Sequence, residues 1–183
     1  MQCFWHHGYA TSVDVVIKEA GVSRHSLYGD FGGKDGLFKA CLRHYSAVVV
    51  TPAFAQVEAK NARLTDVAAY FETQIDRGTE MGLPGPGCLM ANTQTDVGTR
   101  ESSIGAIVRA HNRRLAKGFR KGMQNEATAA GLTPSPTRVA RLSELLVIFT
   151  NGLWCHSRTV ADPALLRAAA KDILEFIEES LRT

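Results

Sequence analysis

The run Ser23-Arg24-His25-Ser26 places a guanidinium, an imidazole and two hydroxyls on four positions in a row. Side chains of these types at the start of a short helix suit the DNA major groove, whose base edges present donors and acceptors to a helix lying in it. The planar fork of Arg24 matches O6 and N7 of a guanine, and His25 can reach a base edge or a phosphate. Tyr28 offers a ring to the protein and a hydroxyl to the DNA backbone. Thr11 and Ser12, at a helix N-terminus, present hydroxyl and amide donors to phosphate. Lys34 opens a later helix with a charge suited to the sugar-phosphate rail.

The elements needed to position these groups are legible around them. Thr11 or Ser12 caps a helix with Val13, Val16, Ile17 and Ala20 on one face, and Gly21 stops it. Ser23 caps a short second helix over residues 23–29, whose inward residues are Leu27 and then Phe31. Ala20, Val22 and Leu27 supply the small or apolar groups where two such helices cross, and Gly21 takes a turn conformation that a side chain resists. A helical start over residues 2–7 ends at Gly8. After Gly32-Gly33 a longer helix begins near Lys34, with a stripe of Leu37, Phe38, Cys41, Leu42, Tyr45 and Val48, and Pro52 ends or kinks it.

The remainder keeps the same period. Helices are expected over residues 64–81, 88–97, 102–130, 137–157 and 163–181, roughly nine segments in all, with no run of alternating strand residues. Gly82-Leu83-Pro84-Gly85-Pro86-Gly87 is the clearest breaker. The fold class is therefore all-α: an N-terminal helix-turn-helix three-helix bundle over 1–45, then a larger helical domain over 46–183. In the segment 102–130, Arg109, Arg113, Lys117 and Arg120 fall opposite the apolar side and read as a solvated face. The apolar helices at 137–157 and 163–181 suit a four-helix homodimer interface. A small-molecule pocket in the larger domain would draw on Phe71, Met90, Asn92, His111, Phe119, Phe149, Trp154 and His156, which combine aromatic bulk with polar tips.

Gly8-Tyr9, Thr11-Ser12-Val13, Ala20-Gly21-Val22-Ser23, Ser26-Leu27-Tyr28, Phe31, Lys34 and Leu37-Phe38, taken in register, resemble the tetracycline-repressor (TetR) family. The resemblance is dense over residues 4–38 and architectural beyond residue 45. It implies a dimeric helical repressor whose C-terminal domain binds a small-molecule effector and thereby releases a palindromic or near-palindromic double-stranded DNA operator. Three positions depart from the pattern. The first helix is incomplete before Gly8, and Ala10 alone separates Gly8-Tyr9 from Thr11. Asp30 stands where the family often carries a histidine, so no phosphate contact is expected there. His25 occupies a place where a small residue is frequent.

Bulk properties narrow the alternatives. The 183 residues carry a net charge of +3, only mildly basic, so composition alone makes no case for nucleic acid. The longest apolar runs fall far short of the roughly 18 residues a membrane span needs. With no signal peptide, the expected location is the cytoplasm and no membrane partner is expected. Cys3, Cys41, Cys88 and Cys155 are scattered, read as reduced and mostly buried, and no metal or cofactor is expected. Cys88, just after Gly87 at a helix start, is a candidate redox or electrophile sensor if the helix dipole lowers its thiol pKa. Cys88 with His111 or His156 could in principle form a nucleophile and base for an enzyme, but nothing in the sequence places them together and no phosphate loop, metal cluster or nucleophile elbow accompanies them. A helical adaptor without DNA binding is the remaining alternative.

Overall fold

The computed structural model describes residues 1–97 and 103–182. Among them are ten α-helices and one π-helical turn: α1 (Gln2–His7), α2 (Val13–Ala20), α3 (Arg24–Phe31), α4 (Lys34–Tyr45), the π turn (Ser46–Val50), α5 (Thr51–Glu58), α6 (Leu64–Glu80), α7 (Leu89–Val97), α8 (Ser103–Ala129), α9 (Pro136–His156) and α10 (Pro163–Arg182). The expected all-α architecture is present. Residue 102, where the long amphipathic helix was expected to start, lies outside the described residues.

Local signals set most boundaries. Ser12 and Ser23 cap α2 and α3, each accepting a backbone N–H three residues on, from Val15 and Ser26. Gly21 closes α2 at φ 65°, in the left-handed region, and turns the chain into α3. Gly29 does not end α3, which runs two residues further to Phe31. Phe31 is 41% exposed rather than inward-facing, and Val22 is exposed too; Leu27 alone of α3 is buried. The reason lies at the α3–α4 corner. A Cβ on Gly36 would sit 1.7 Å from the Phe31 carbonyl oxygen, so the two helices meet backbone to backbone there, with no room for the Phe31 ring between them.

Pro52 was expected to end or kink the fourth helix, yet the chain stays helical from Lys34 to Glu58. Proline has no N–H and its ring clashes with the carbonyl four residues back. The π turn absorbs both problems by widening the helix just before it, and the Thr51 N–H reaches back five residues to the Ser46 carbonyl. The extra helix α5 then adds Phe54 and Val57 to the core.

Two apolar clusters organise the interior. One joins Phe4, Trp5, Val16, Phe38, Cys41, Leu42 and Tyr45 to Val50, Leu89, Met90 and Ile104, so α7 and the first turn of α8 pack into the helix-turn-helix head. The other gathers α5, α6, α8, α9 and α10 around Phe54, Phe71, Phe119, Leu146 and Ile177. Arg114 clamps α8 to α5 by a bidentate pair to Glu58, at 2.7 and 2.6 Å, and by a bond to the Thr51 hydroxyl. Of the cysteines, Cys41 is buried and the other three are half-buried, fewer than composition suggested; Cys3 and Cys88 sit at the edge of the first cluster.

Gly36→Ala tests the corner directly. The added methyl must displace the Phe31 carbonyl, and overpacking of this kind costs about 1–3 kcal/mol. The expected result is a lower thermal unfolding midpoint together with weakened binding by the helix-turn-helix head, read by calorimetry and by mobility shift.

Candidate DNA-reading surface and ligand cavity

Ser12, Ser23, Arg24, His25, Ser26 and Tyr28 are all exposed, on the N-termini of α2 and α3 and along α3; Thr11 and Lys34 are half-buried. Several are already engaged. The Thr11 hydroxyl donates to the Gly8 carbonyl at 2.8 Å, and the Ser23 hydroxyl caps α3 while donating to Ser26 Oγ at 3.1 Å. Arg24 pairs with Asp14 of α2 across the turn. Both partners are well exposed, and an exposed pair is worth only about 0–1 kcal/mol, so Arg24 can leave Asp14 for a base edge at small cost. The Lys34 ammonium lies 4.5 Å from the centre of the Tyr9 ring, which fixes its position at the start of α4. Tyr28 stands half-exposed with its ring edge beside Gly33.

The short α1–α2 joint is held from a distance. The Tyr9 amide donates to Asp96 of α7 at 3.1 Å, and the Tyr9 hydroxyl donates to Asp35 of α4. With only Ala10 between Tyr9 and Thr11, α7 serves as a buttress for the head.

A cavity of about 380 Å³ lies between that head and the body. Its wall includes Trp5 of α1, Tyr45 of α4 and Val48 to Val50 of the π turn, facing Tyr70, Gln74 and Ile75 of α6, His111 and Leu115 of α8, and Thr150, Asn151 and Trp154 of α9. Gly85, Pro86, Gly87 and Cys88 close one side. The Gly82–Gly87 breaker is thus a cavity wall, pinned by three bonds. The Trp5 indole N–H donates to the Gly87 carbonyl at 2.8 Å, Asn92 Nδ2 to the Pro86 carbonyl at 2.7 Å, and the Gly85 amide to the Ser157 carbonyl at 3.4 Å. Trp5 and Tyr45 meet edge to face at 5.0 Å.

Of the eight residues proposed for the pocket, His111 and Trp154 line it. Phe71, Met90 and Phe119 are fully buried in the cores, and Phe149 packs against Phe71 with ring centres 5.8 Å apart. Asn92 is buried behind the loop it holds. His156 is exposed at the end of α9 and is not part of the wall. Sequence reasoning missed Trp5, Tyr45, Tyr70 and Asn151. The first two lie in the head's apolar stripes, and only the 82-residue span from Trp5 to Gly87 reveals their second task.

The electrostatics of the wall are plain. Burial holds the His111 imidazole neutral, with its pKa lowered to about 4, assisted by the nearby Arg114 charge. Its buried Nδ1 has no hydrogen-bond partner among the described residues. Burial likewise pushes the Cys88 thiol up, against the weaker pull of the Ala91 and Met90 amides and the Tyr45 hydroxyl. The helix N-terminus therefore does not make Cys88 a ready thiolate. Arg109, Arg113, Lys117 and Arg120 are exposed along α8, the solvated face expected of them.

The described residues form a helix-turn-helix head on an all-helical body, with a cavity at their junction. Residues 1–41 match the family model described as bacterial regulatory proteins, tetR family. The whole chain aligns over 187 residues, at 26% identity and 87% coverage of the relative, with the HTH-type transcriptional repressor ComR of Escherichia coli strain K12. The fold is similar to that of the TetR-family regulator CifR, solved with a 26-base-pair operator, at a TM-score of 0.77 and 22% identity over 94% of this chain and 90% of that one. A regulatory protein TetR from Rhodobacter sphaeroides is similar at a TM-score of 0.77 and 18% identity, over 95% and 92% of the two chains. The first 41 residues thus match bacterial regulatory proteins of the tetR family, and the fold of the whole chain is similar to that of TetR-family regulators, one of them solved with operator DNA.

His111 makes acid stability a test of this wall. Above its unperturbed value of 6.5 the ring is neutral in both states, so folding exchanges no proton there. Between 6.5 and about 4 the unfolded chain takes up the proton first, so stability falls as pH drops. The loss approaches an order of 3 kcal/mol at the acid end. His111→Gln should flatten the decline of the unfolding midpoint across that window, measured by thermal scans at stepped pH.

Proposed function

We propose that this chain is a homodimeric repressor of the cytoplasm, released from a palindromic or near-palindromic operator when a small molecule occupies the cavity at the head–body junction. One observation carries the release step: the cavity wall includes Trp5 and Tyr45 of the DNA-reading head, and Trp5 is hydrogen-bonded to the loop that closes the cavity. A ligand that changes the wall therefore changes the seat of α1 and α4. Only its difference in affinity between the DNA-bound and released arrangements can drive that change.

The homodimer reading rests on the outer faces of α9 and α10. Ile148 is 69% exposed, Phe176 51% and Leu165 49%, while the opposite sides of both helices fill the core. Two helices from each subunit would bury these residues together and set two reading heads on two half-sites. Arg24 is the candidate base reader, with Ser23, His25 and Ser26 beside it; Thr11, Ser12, Tyr28 and Lys34 are candidate backbone contacts.

A mobility-shift assay on the DNA upstream of the gene tests the whole reading. Specific, salt-sensitive binding supports a repressor, and its absence supports an adaptor that has lost DNA. Arg24→Ala should cost about 1–3 kcal/mol and relax preference at one base pair, whereas Lys34→Ala should weaken all sequences and reduce the salt slope by about 1. A footprint with unchanged base preference removes Arg24 from its role. Ile148→Glu combined with Phe176→Glu should yield folded monomers in sedimentation velocity, with loss of operator binding.

A further inference from the structure

We infer that the junction cavity takes an uncharged aromatic ligand, stacked among Trp5, Tyr45, Tyr70 and Trp154 and oriented by one hydrogen bond to the His111 imidazole. This rests on the reading of the cavity as an effector site and names the chemistry of what enters it.

The volume falls within the range of about 300–1,000 Å³ in which drug-sized ligands are enclosed. The aromatic wall is two edge-to-face pairs, Trp5 with Tyr45 at 5.0 Å and Tyr70 with Trp154 at 6.4 Å, so an aromatic guest meets ring faces and edges. Most polar tips on the wall are already committed inside the protein. The Trp5 N–H is held by Gly87, and the Tyr70 hydroxyl lies beside the Trp154 indole. The Tyr45 hydroxyl sits with the Cys88 thiol. The Thr150 hydroxyl donates to the Leu146 carbonyl at 2.6 Å, the Ser157 hydroxyl to the Trp154 carbonyl at 2.9 Å, and Asn151 Nδ2 to Asn112 Oδ1 at 3.2 Å. His111 differs from all of these. It is nine-tenths buried, it lines the cavity, and its Nδ1 is without a partner among the described residues. A buried polar group left in that state calls for an occupant that can use the ring.

Charge selects against ions of either sign. No Asp or Glu lines the cavity among the described residues, so an ammonium guest finds no counter-charge. Arg77 is the one wall residue with a permanently charged side chain, and it is exposed, too well solvated to repay the burial of a carboxylate deep among the rings.

The chain carries two tryptophans, and both line the cavity, so its own fluorescence reads occupancy without any DNA present. Three naphthalene probes at neutral pH separate the possibilities: 2-naphthol, 2-naphthoate and 2-naphthylmethylammonium. The expected result is saturable quenching by 2-naphthol, with each ion binding at least about tenfold more weakly. His111→Phe should weaken 2-naphthol by about tenfold while leaving naphthalene itself unchanged, and His111→Gln, which keeps a donor and an acceptor, should recover part of the loss. Circular dichroism of each variant confirms that it is folded. Absence of saturable quenching by 2-naphthol overturns the inference, as does equal or tighter binding of either ion, or an unchanged affinity in His111→Phe. Operator release by a charged compound that occupies this cavity would leave the effector-released repressor standing and sink only this inference.

Discussion

The hydrogen bond from the Trp5 indole to the Gly87 carbonyl is the tie on which the arrangement depends. It joins the first helix of the reading head to the loop between α6 and α7, which other bonds fasten to α7 and to the end of α9. A neutral hydrogen bond contributes only about 0.5–1.5 kcal/mol net, but leaving a buried donor unmade costs about 1–3 kcal/mol. That asymmetry makes the indole's seat well defined: it is bonded to Gly87 or it is under strain. The edge-to-face stack with Tyr45 then passes the same constraint to α4. The cavity is what remains between these fixed points.

The head and the body are therefore not two beads on a string. The apolar cluster of the head takes Leu89 and Met90 from α7 and Ile104 from α8, and the Tyr9 amide is bonded to Asp96. The chain supplies with α7 much of what a short α1 and a one-residue joint leave undone. Division at residue 45 describes the chain in sequence order; in space, part of the body belongs to the head's support.

How much of this was legible varied with the range of the interaction. The caps at Ser12 and Ser23, the turn at Gly21 and the buried stripes of α4 and α8 depend on neighbours within one or two helical turns, and spacing displays them. Phe31 was misplaced because the constraint on it is a backbone approach at Gly36, which leaves no periodic trace. The pocket was the least legible part. Large aromatic residues such as Phe71 and Phe119 fill a core as readily as they line a void, and only the pairing of elements far apart in sequence separates the two outcomes. Trp5 carried the tell-tale N–H, but its partner lies 82 positions away. Cys88 was misread electrostatically for a related reason: its helix start was visible, and the burial that outweighs it was not.

The π turn between α4 and α5 has a meaning for the phase of the chain. Buried positions run 38, 41, 42 and 45, then step five positions to 50 before resuming at 54 and 57. Each residue advances an α-helix by about 100°, so an uninterrupted helix would carry Phe54 and Val57 round to a side away from the core. One surplus residue, stored in the wider turn, keeps both halves of the rod facing inward. The segment thus works as a splice: a chain one residue too long for its partners is taken up at Ser46–Val50, and neither the reading head nor the body has to change its packing to accommodate it.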